Sequence, residues 1–155
     1  RESIKTLILT LWKREDEAPT RAEEVALSGA VNAYIRKISG DRSVRPDFNG
    51  FYEFVSVDYR RMIEEKRVRE KDFDIDGFLN VLEPFYRGGD YDFLLNSDKE
   101  LDLTNKRFIV FELDNIGSNK VLLPVVTLII METFIAKMRR LKGVRKMILI
   151  EECWL

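Results

Sequence analysis

The apolar pattern of this chain changes once, at Lys106, and that change limits the folds open to it. After Lys106 comes Arg107-Phe108-Ile109-Val110-Phe111-Glu112-Leu113, a nearly continuous run of β-branched and aromatic residues closed by Asp114-Asn115. Such a run reads as a strand followed by a turn. Asn119 to Leu141 then reads as one long helix, with Pro124 tolerated in its first turn and Gly143 as its stop. Met147-Ile148-Leu149-Ile150 reads as a second, fully buried strand. Strand, helix, strand predicts a βαβ unit, whose two apolar strands belong to a parallel sheet covered on both faces. Two strands do not complete such a sheet. The expected fold is therefore mainly α with a small parallel α/β part, split into a helical region over 1–103 and a partial α/β core over 104–155.

Upstream of Lys106 the period is helical. Ile4, Leu7, Ile8, Leu11 and Trp12 recur on one face behind Ser3 as a cap. Thr20-Arg21-Ala22-Glu23 predicts a capping box, since hydroxyl and carboxylate can each satisfy the other residue's backbone N–H. Val25, Leu27, Ala30, Val31, Tyr34, Ile35 and Ile38 form the apolar face of the helix that follows, which Ser39-Gly40 ends. A third helix starts near Asp47 or Asn49 and turns Phe51, Phe54, Val55, Tyr59, Met62 and Ile63 inward. The charge run Glu64 to Lys71 reads as its solvated end. A fourth helix runs from about Asp74 to Tyr86 on Ile75, Phe78, Leu79, Leu82 and Phe85, and Gly88-Gly89-Asp90 reads as a turn.

Several chemistries are excluded by what the chain lacks. With no histidine there is no His general base, His–Cys dyad or His metal site within it. The single Cys153 allows no internal disulfide. Lys and Arg number 26 against 27 Asp and Glu, so no basic field covers the whole surface. Val121 to Met131 is strongly apolar, but Glu132 cuts it short of the roughly 20 residues a membrane span requires, and a buried core helix is the better reading. The chain starts at Arg1 rather than Met, which reads as an excised piece of a longer protein.

Four apolar residues followed by Glu151 and Glu152 are the tract that carries chemistry. Open α/β sheets bind ligands beyond the carboxyl ends of their strands. There one carboxylate can hold the water shell of Mg²⁺ and the next can orient or deprotonate an attacking water. An ordinary buried strand ending in two solvated acids gives the same letters. Asp114, after the first strand, would lie at the same sheet edge and could serve the nucleotide side, although a turn-forming Asp is the plainer reading. A phosphate loop needs Gly-x-x-x-x-Gly-Lys-[Ser/Thr], and no Gly-Lys pair occurs in the chain.

The tract RFIVFELDNIGSNKVLLPVVTLIIMETFIAKMRRLKG with KMILIEECW resembles the TraG-type conjugation ATPases of Bacteroides-type conjugative transposons, within the type IV secretion ATPase class. SIKTLILTLWKREDEAPTRAEE and FLNVLEPFYRGGDYDFLLNSD are similar as well, so the resemblance covers most of the chain. It implies a hexameric, RecA-like P-loop motor with a helical region inserted between its Walker A and Walker B motifs. That motor would bind ATP and Mg²⁺ and power transfer of DNA or protein through a conjugation channel. By the same resemblance Glu151 stands at the metal position, Glu152 at the catalytic position and Trp154 at the class's usual Trp, while Cys153 replaces its Ala and Glu151 its Asp. The chain then reads as a fragment ending just after Walker B, with half of a site and no ATP or Mg²⁺ bound on its own. The expected setting is cytoplasmic and peripheral at the bacterial inner membrane, among other secretion subunits, with any DNA contact indirect.

Other groupings have plain alternatives. Lys137, Arg139, Arg140 and Lys142 could touch DNA or a neighbouring subunit, but cations at a helix C-terminus also complement its dipole. Phe51, Tyr52, Phe54, Tyr59, Phe85 and Tyr86 could stack on bases, but their helical spacing marks core. A helical interaction module docking other channel subunits is the alternative to an enzyme.

Overall fold

The computed structural model describes residues 2–14, 16–41, 43, 46–96, 103 and 106–150. The chain divides into two compact units, Arg1–Leu101 and Asp102–Leu155.

The first unit is a helical cluster. α1 (Glu2–Trp12) buries Ile8 and Leu11 and already contains Ser3, which therefore does not cap it. α2 (Arg21–Gly40) begins on the expected capping box: Glu23 N–H donates to Thr20 Oγ1 at 3.3 Å, and Thr20 N–H donates to Glu23 Oε2 at 2.7 Å. α3 (Phe48–Phe54) and α5 (Ile75–Leu82) start on Asp47 and Asp74, whose carboxylates accept from the N–H groups of Gly50 and Gly77, each at 2.8 Å. A π-helical turn, Val55–Tyr59, links α3 to α4 (Arg60–Glu65). A 3₁₀ turn, Glu83–Phe85, follows α5, and α6 (Asp92–Leu95) is a single short turn. Glu64 to Lys71 is exposed throughout, as its charge predicts. α1 packs against α2 and α5, and α2 against α3.

The core is aromatic. Trp12 meets Phe78 edge-on at 4.9 Å and Phe73 at 5.9 Å, while Tyr34 meets Phe51 at 5.5 Å. All five residues assigned to the inner face of the fourth helix are buried. On α2 the buried face matches the expected one except at its edge. Leu27, Ala30, Val31 and Tyr34 are buried as expected, but Val25 is 66% exposed, and Ala26 and Ala33 join the buried face. These small side chains let the helices approach closely. The π turn uses that closeness: it aims Tyr59 at α2, where its buried hydroxyl donates to Ala26 O at 2.6 Å. A Cβ on Gly29 would lie 2.7 Å from that hydroxyl, so a larger residue there would displace it.

A latch of charges joins α1 to the start of α2. Lys13 Nζ lies 2.8 Å from Glu17 and 2.9 Å from Glu23, and 4.3 Å from the Trp12 ring centre. Burial works to raise the Glu23 carboxyl, but hydrogen bonds from Thr20 and the Lys13 ammonium outweigh it and hold the group below its ordinary value. A depressed carboxylate stabilises the fold above its unfolded pKa of about 4.3, and the contribution is lost as pH falls through the lower folded value. Thr20→Ala is expected to cost about 1 kcal/mol at neutral pH. Glu23→Gln is expected to flatten the acid limb of stability measured by urea titration at stepped pH. An acid limb identical to wild type would remove Glu23 from that role.

In the second unit a 3₁₀ turn, Asp114–Ile116, precedes α7 (Leu122–Arg140). The Asn119 carboxamide caps α7, accepting from the N–H groups of Val121 at 3.0 Å and Leu122 at 2.9 Å. Pro124 sits in the first turn, and Gly143, at φ +76°, follows the helix end in the left-handed region that favours glycine. No helix among the described residues is long and apolar enough to cross a membrane. On α7 only Val125 is fully buried, and most of its other apolar residues are half-buried.

The expected parallel βαβ unit is not formed. Among the described residues there is no strand: the structure is helices and irregular chain. A strand exists only when its N–H and C=O groups pair with a neighbour, and no such ladder joins the segments on either side of α7. Apolar β-branched runs favour extended pairing but do not supply the partner. Burial also departs from expectation, with Phe108 85%, Met147 90% and Leu149 89% exposed.

Candidate functional site

The residues singled out for chemistry fall in the second unit. Asp114 opens the 3₁₀ turn, is exposed, and its carbonyl accepts from Gly117 N–H at 3.3 Å. That geometry is a turn. Glu151 and Glu152 lie outside the described residues, as do Cys153 and Trp154. Among the described residues no group of three or more Asp, Glu or Cys gathers to hold a metal ion.

The C-terminal end of α7 is the part the structure organises. Lys137 lies in the last turn of α7, and its ammonium reaches back along the chain, donating to Leu103 O at 2.7 Å and also to Lys106 O. It thereby ties Leu103 and Lys106 to the last turns of the helix. Lys106 and Arg107 are exposed, as are Arg139, Lys142, Arg145 and Lys146 of the helix end and the segment after it. Sequence reading missed this clamp because its acceptors are main-chain carbonyls 31 and 34 residues away. Carbonyls leave no mark in residue type.

Of the six aromatics weighed as base-stacking groups, Phe51, Phe54, Tyr59 and Phe85 are buried core. Tyr52 and Tyr86 stack on each other at 4.3 Å, and the Tyr86 hydroxyl donates to Glu53 at 2.9 Å. The Glu53 carboxylate draws the Tyr86 hydroxyl proton in and raises its pKa, with burial adding to the effect. The neighbouring loop is held by Asn96, whose Oδ1 accepts from Asn49 N–H at 2.9 Å and whose amide donates to Phe85 O at 2.9 Å. Gly88-Gly89 is a turn within this network.

No curated protein and no solved structure matches the chain. A family model, the TraG P-loop domain, matches residues 1–155. That match spans the helical cluster, the basic helix end and the Met147-Ile150 tract with its two acids, the same stretches that carry the resemblance in sequence. The chain belongs to the TraG P-loop domain family and is a TraG-family conjugation protein.

Proposed function

We propose that the chain is part of a conjugation motor of the type IV secretion class, of the kind found in Bacteroides-type conjugative transposons, which couples ATP hydrolysis to transfer. The family match over residues 1–155 is the observation that carries this reading. Glu151 handles Mg²⁺ through its water shell and Glu152 positions the attacking water, following Met147-Ile148-Leu149-Ile150 as a Walker B tract. Asp114 lies on the nucleotide side. Glu151 is one methylene longer than Asp, so it reaches the metal by a different side-chain path. The helical residues 1–103 form an insertion region that docks other channel subunits, and 104–155 carry the nucleotide-side acids. The motor works as a hexamer, peripheral to the inner membrane.

No Gly-Lys pair is present to cradle phosphates, so the phosphates are held by residues outside these 155, and this polypeptide alone has no useful affinity for Mg-ATP. The deciding experiment is ATP turnover by the full-length protein with Glu152→Gln.

A second role, self-association, is favoured by the exposure of Met147, Leu149 and Ile150 at 90%, 89% and 76%. Three large apolar side chains this open to water mark a contact surface. The 155-residue polypeptide is expected to form dimers or larger species by multi-angle light scattering. A clean monomer at high concentration would contradict it.

A further inference from the structure

α4 ends in a reversal. Arg67 N–H donates to Glu64 O at 2.9 Å and Val68 N–H to Ile63 O at 3.0 Å. That pair of bonds is the Schellman closure, which needs a left-handed residue at the position Arg67 holds. Glycine is the usual choice there, yet Arg67 takes it at φ +54°. The reversal sets Val68 beside Ile63, and both line a hollow of about 200 Å³ between the end of α4 and the start of α5. Ile63 and Phe73 are buried and give it an apolar floor, while Val68 stands 39% exposed at its side. Its acids are Glu64, Glu70, Asp74 and Asp76 against Arg60, four carboxylates to one guanidinium, net −3. Arg60 is already engaged, donating to Asp76 at 2.6 Å and to Ser56 O at 3.2 Å. Asp74 is engaged too, capping α5 through Gly77 N–H. Among the described residues the Glu64 and Glu70 carboxylates make no hydrogen bond or ion pair. The cations of the same loop, Lys66, Arg67 and Lys71, do not line the hollow, and Arg69 pairs with Asp72.

We propose that this hollow receives one arginine side chain of a partner protein, from a segment in which apolar residues flank that arginine. Such a contact rests on the reading that residues 1–103 dock other proteins, and it gives the docking a place. Small-molecule sites span about 300–1,000 Å³, so a smaller hollow suits a single projecting side chain. The charge selects a cation, because two carboxylates in it are without partners and its own guanidinium is committed to Asp76. Arginine suits it better than lysine. Its flat, weakly hydrated guanidinium lies on an apolar floor and offers donors in two directions, one toward each free carboxylate. Arginine is also among the residues that anchor protein interfaces by filling a pocket on the partner. The flanking apolar residues cover Val68, which is otherwise left open to water.

The test is a titration of the isotope-labelled 155-residue polypeptide with the blocked peptide acetyl-Ala-Leu-Arg-Leu-Ala-amide, followed by amide chemical shifts. Shifts are expected within residues 60–76, which hold the hollow. The same peptide with citrulline in place of arginine keeps the shape without the charge and is expected to shift nothing. Glu64→Gln with Glu70→Gln is expected to weaken the arginine peptide about five- to tenfold, the scale of two partly exposed ion pairs. Circular dichroism equal to wild type checks that the variant folds. A control pair at exposed acids elsewhere in the unit, Glu24→Gln with Asp90→Asn, is expected to bind as wild type. Equal losses from both pairs, or equal shifts from the citrulline peptide, would overturn the site as general attraction. No shift within residues 60–76 up to about 10 mM peptide would overturn it as well. Shifts there on concentrating the protein without peptide would give the hollow to a second copy and overturn a foreign partner. No channel subunit enters the titration, so a negative result strikes the hollow and leaves the docking reading standing. That reading fails separately, if the full-length protein retains no channel subunit in a pull-down.

Discussion

Glu152→Gln in the full-length protein is expected to cut ATP turnover by about 10²–10⁴-fold, the range for removing a positioned general base. The substitution keeps size and one hydrogen-bond acceptor but removes the charge that orients water and receives its proton. Mg-ATP binding should survive, because the metal is assigned to Glu151 and the phosphates to residues elsewhere. The split between lost turnover and retained binding is what separates a catalytic role from a structural one. Turnover at the wild-type rate would remove Glu152 from catalysis. Loss of both turnover and Mg-ATP affinity would move Glu152 to the metal or to folding. The variant is informative because Glu151 and Glu152 are adjacent and chemically alike, and only their roles distinguish them.

What could be read in advance was local. The capping box at Thr20 and Glu23 needs only four consecutive residues, and it forms as written. Asp47 caps α3 for the same reason, through an N–H three positions on. Ile75, Phe78, Leu79, Leu82 and Phe85 repeat at the helical period and are all buried. The failures are non-local. The π turn at Val55–Tyr59 accompanies a bond from the Tyr59 hydroxyl to Ala26 O, 33 residues away, beside Gly29. The strands expected over Arg107–Leu113 and Met147–Ile150 needed a pairing partner, which an apolar run cannot specify by itself. The Lys137 clamp depends on carbonyls that any residue could offer. Of the candidate site, Asp114 is placed in a turn, whereas Glu151 and Glu152 rest on the pattern of letters and the family match.

Phe78→Ala is expected to be the most damaging single change in the helical unit, at about 3–5 kcal/mol. Phe78 is 1% exposed, sits mid-α5, and lies edge-on to Trp12 of α1 at 4.9 Å, with Phe73 at 5.5 Å. The ring therefore joins α5 to α1 as well as filling space. Its loss removes buried apolar area, leaves a cavity between two helices, and ends an aromatic pair worth about 0.5–1.5 kcal/mol beyond area. A domain of this size is stable by only about 5–15 kcal/mol, so the variant should lose roughly a fifth or more of its stability. Guanidinium unfolding followed by far-ultraviolet circular dichroism measures the cost, and Trp12 fluorescence should shift in the native baseline as its neighbour disappears. Phe78→Leu keeps most of the volume and is expected to cost clearly less. Phe93→Ala, at a position 63% exposed, should stay within about 0.5 kcal/mol of wild type. Equal costs at positions 78 and 93 would mean that α1 and α5 do not share a core, and the packing of the helical unit would have to be redrawn around α2 and α3.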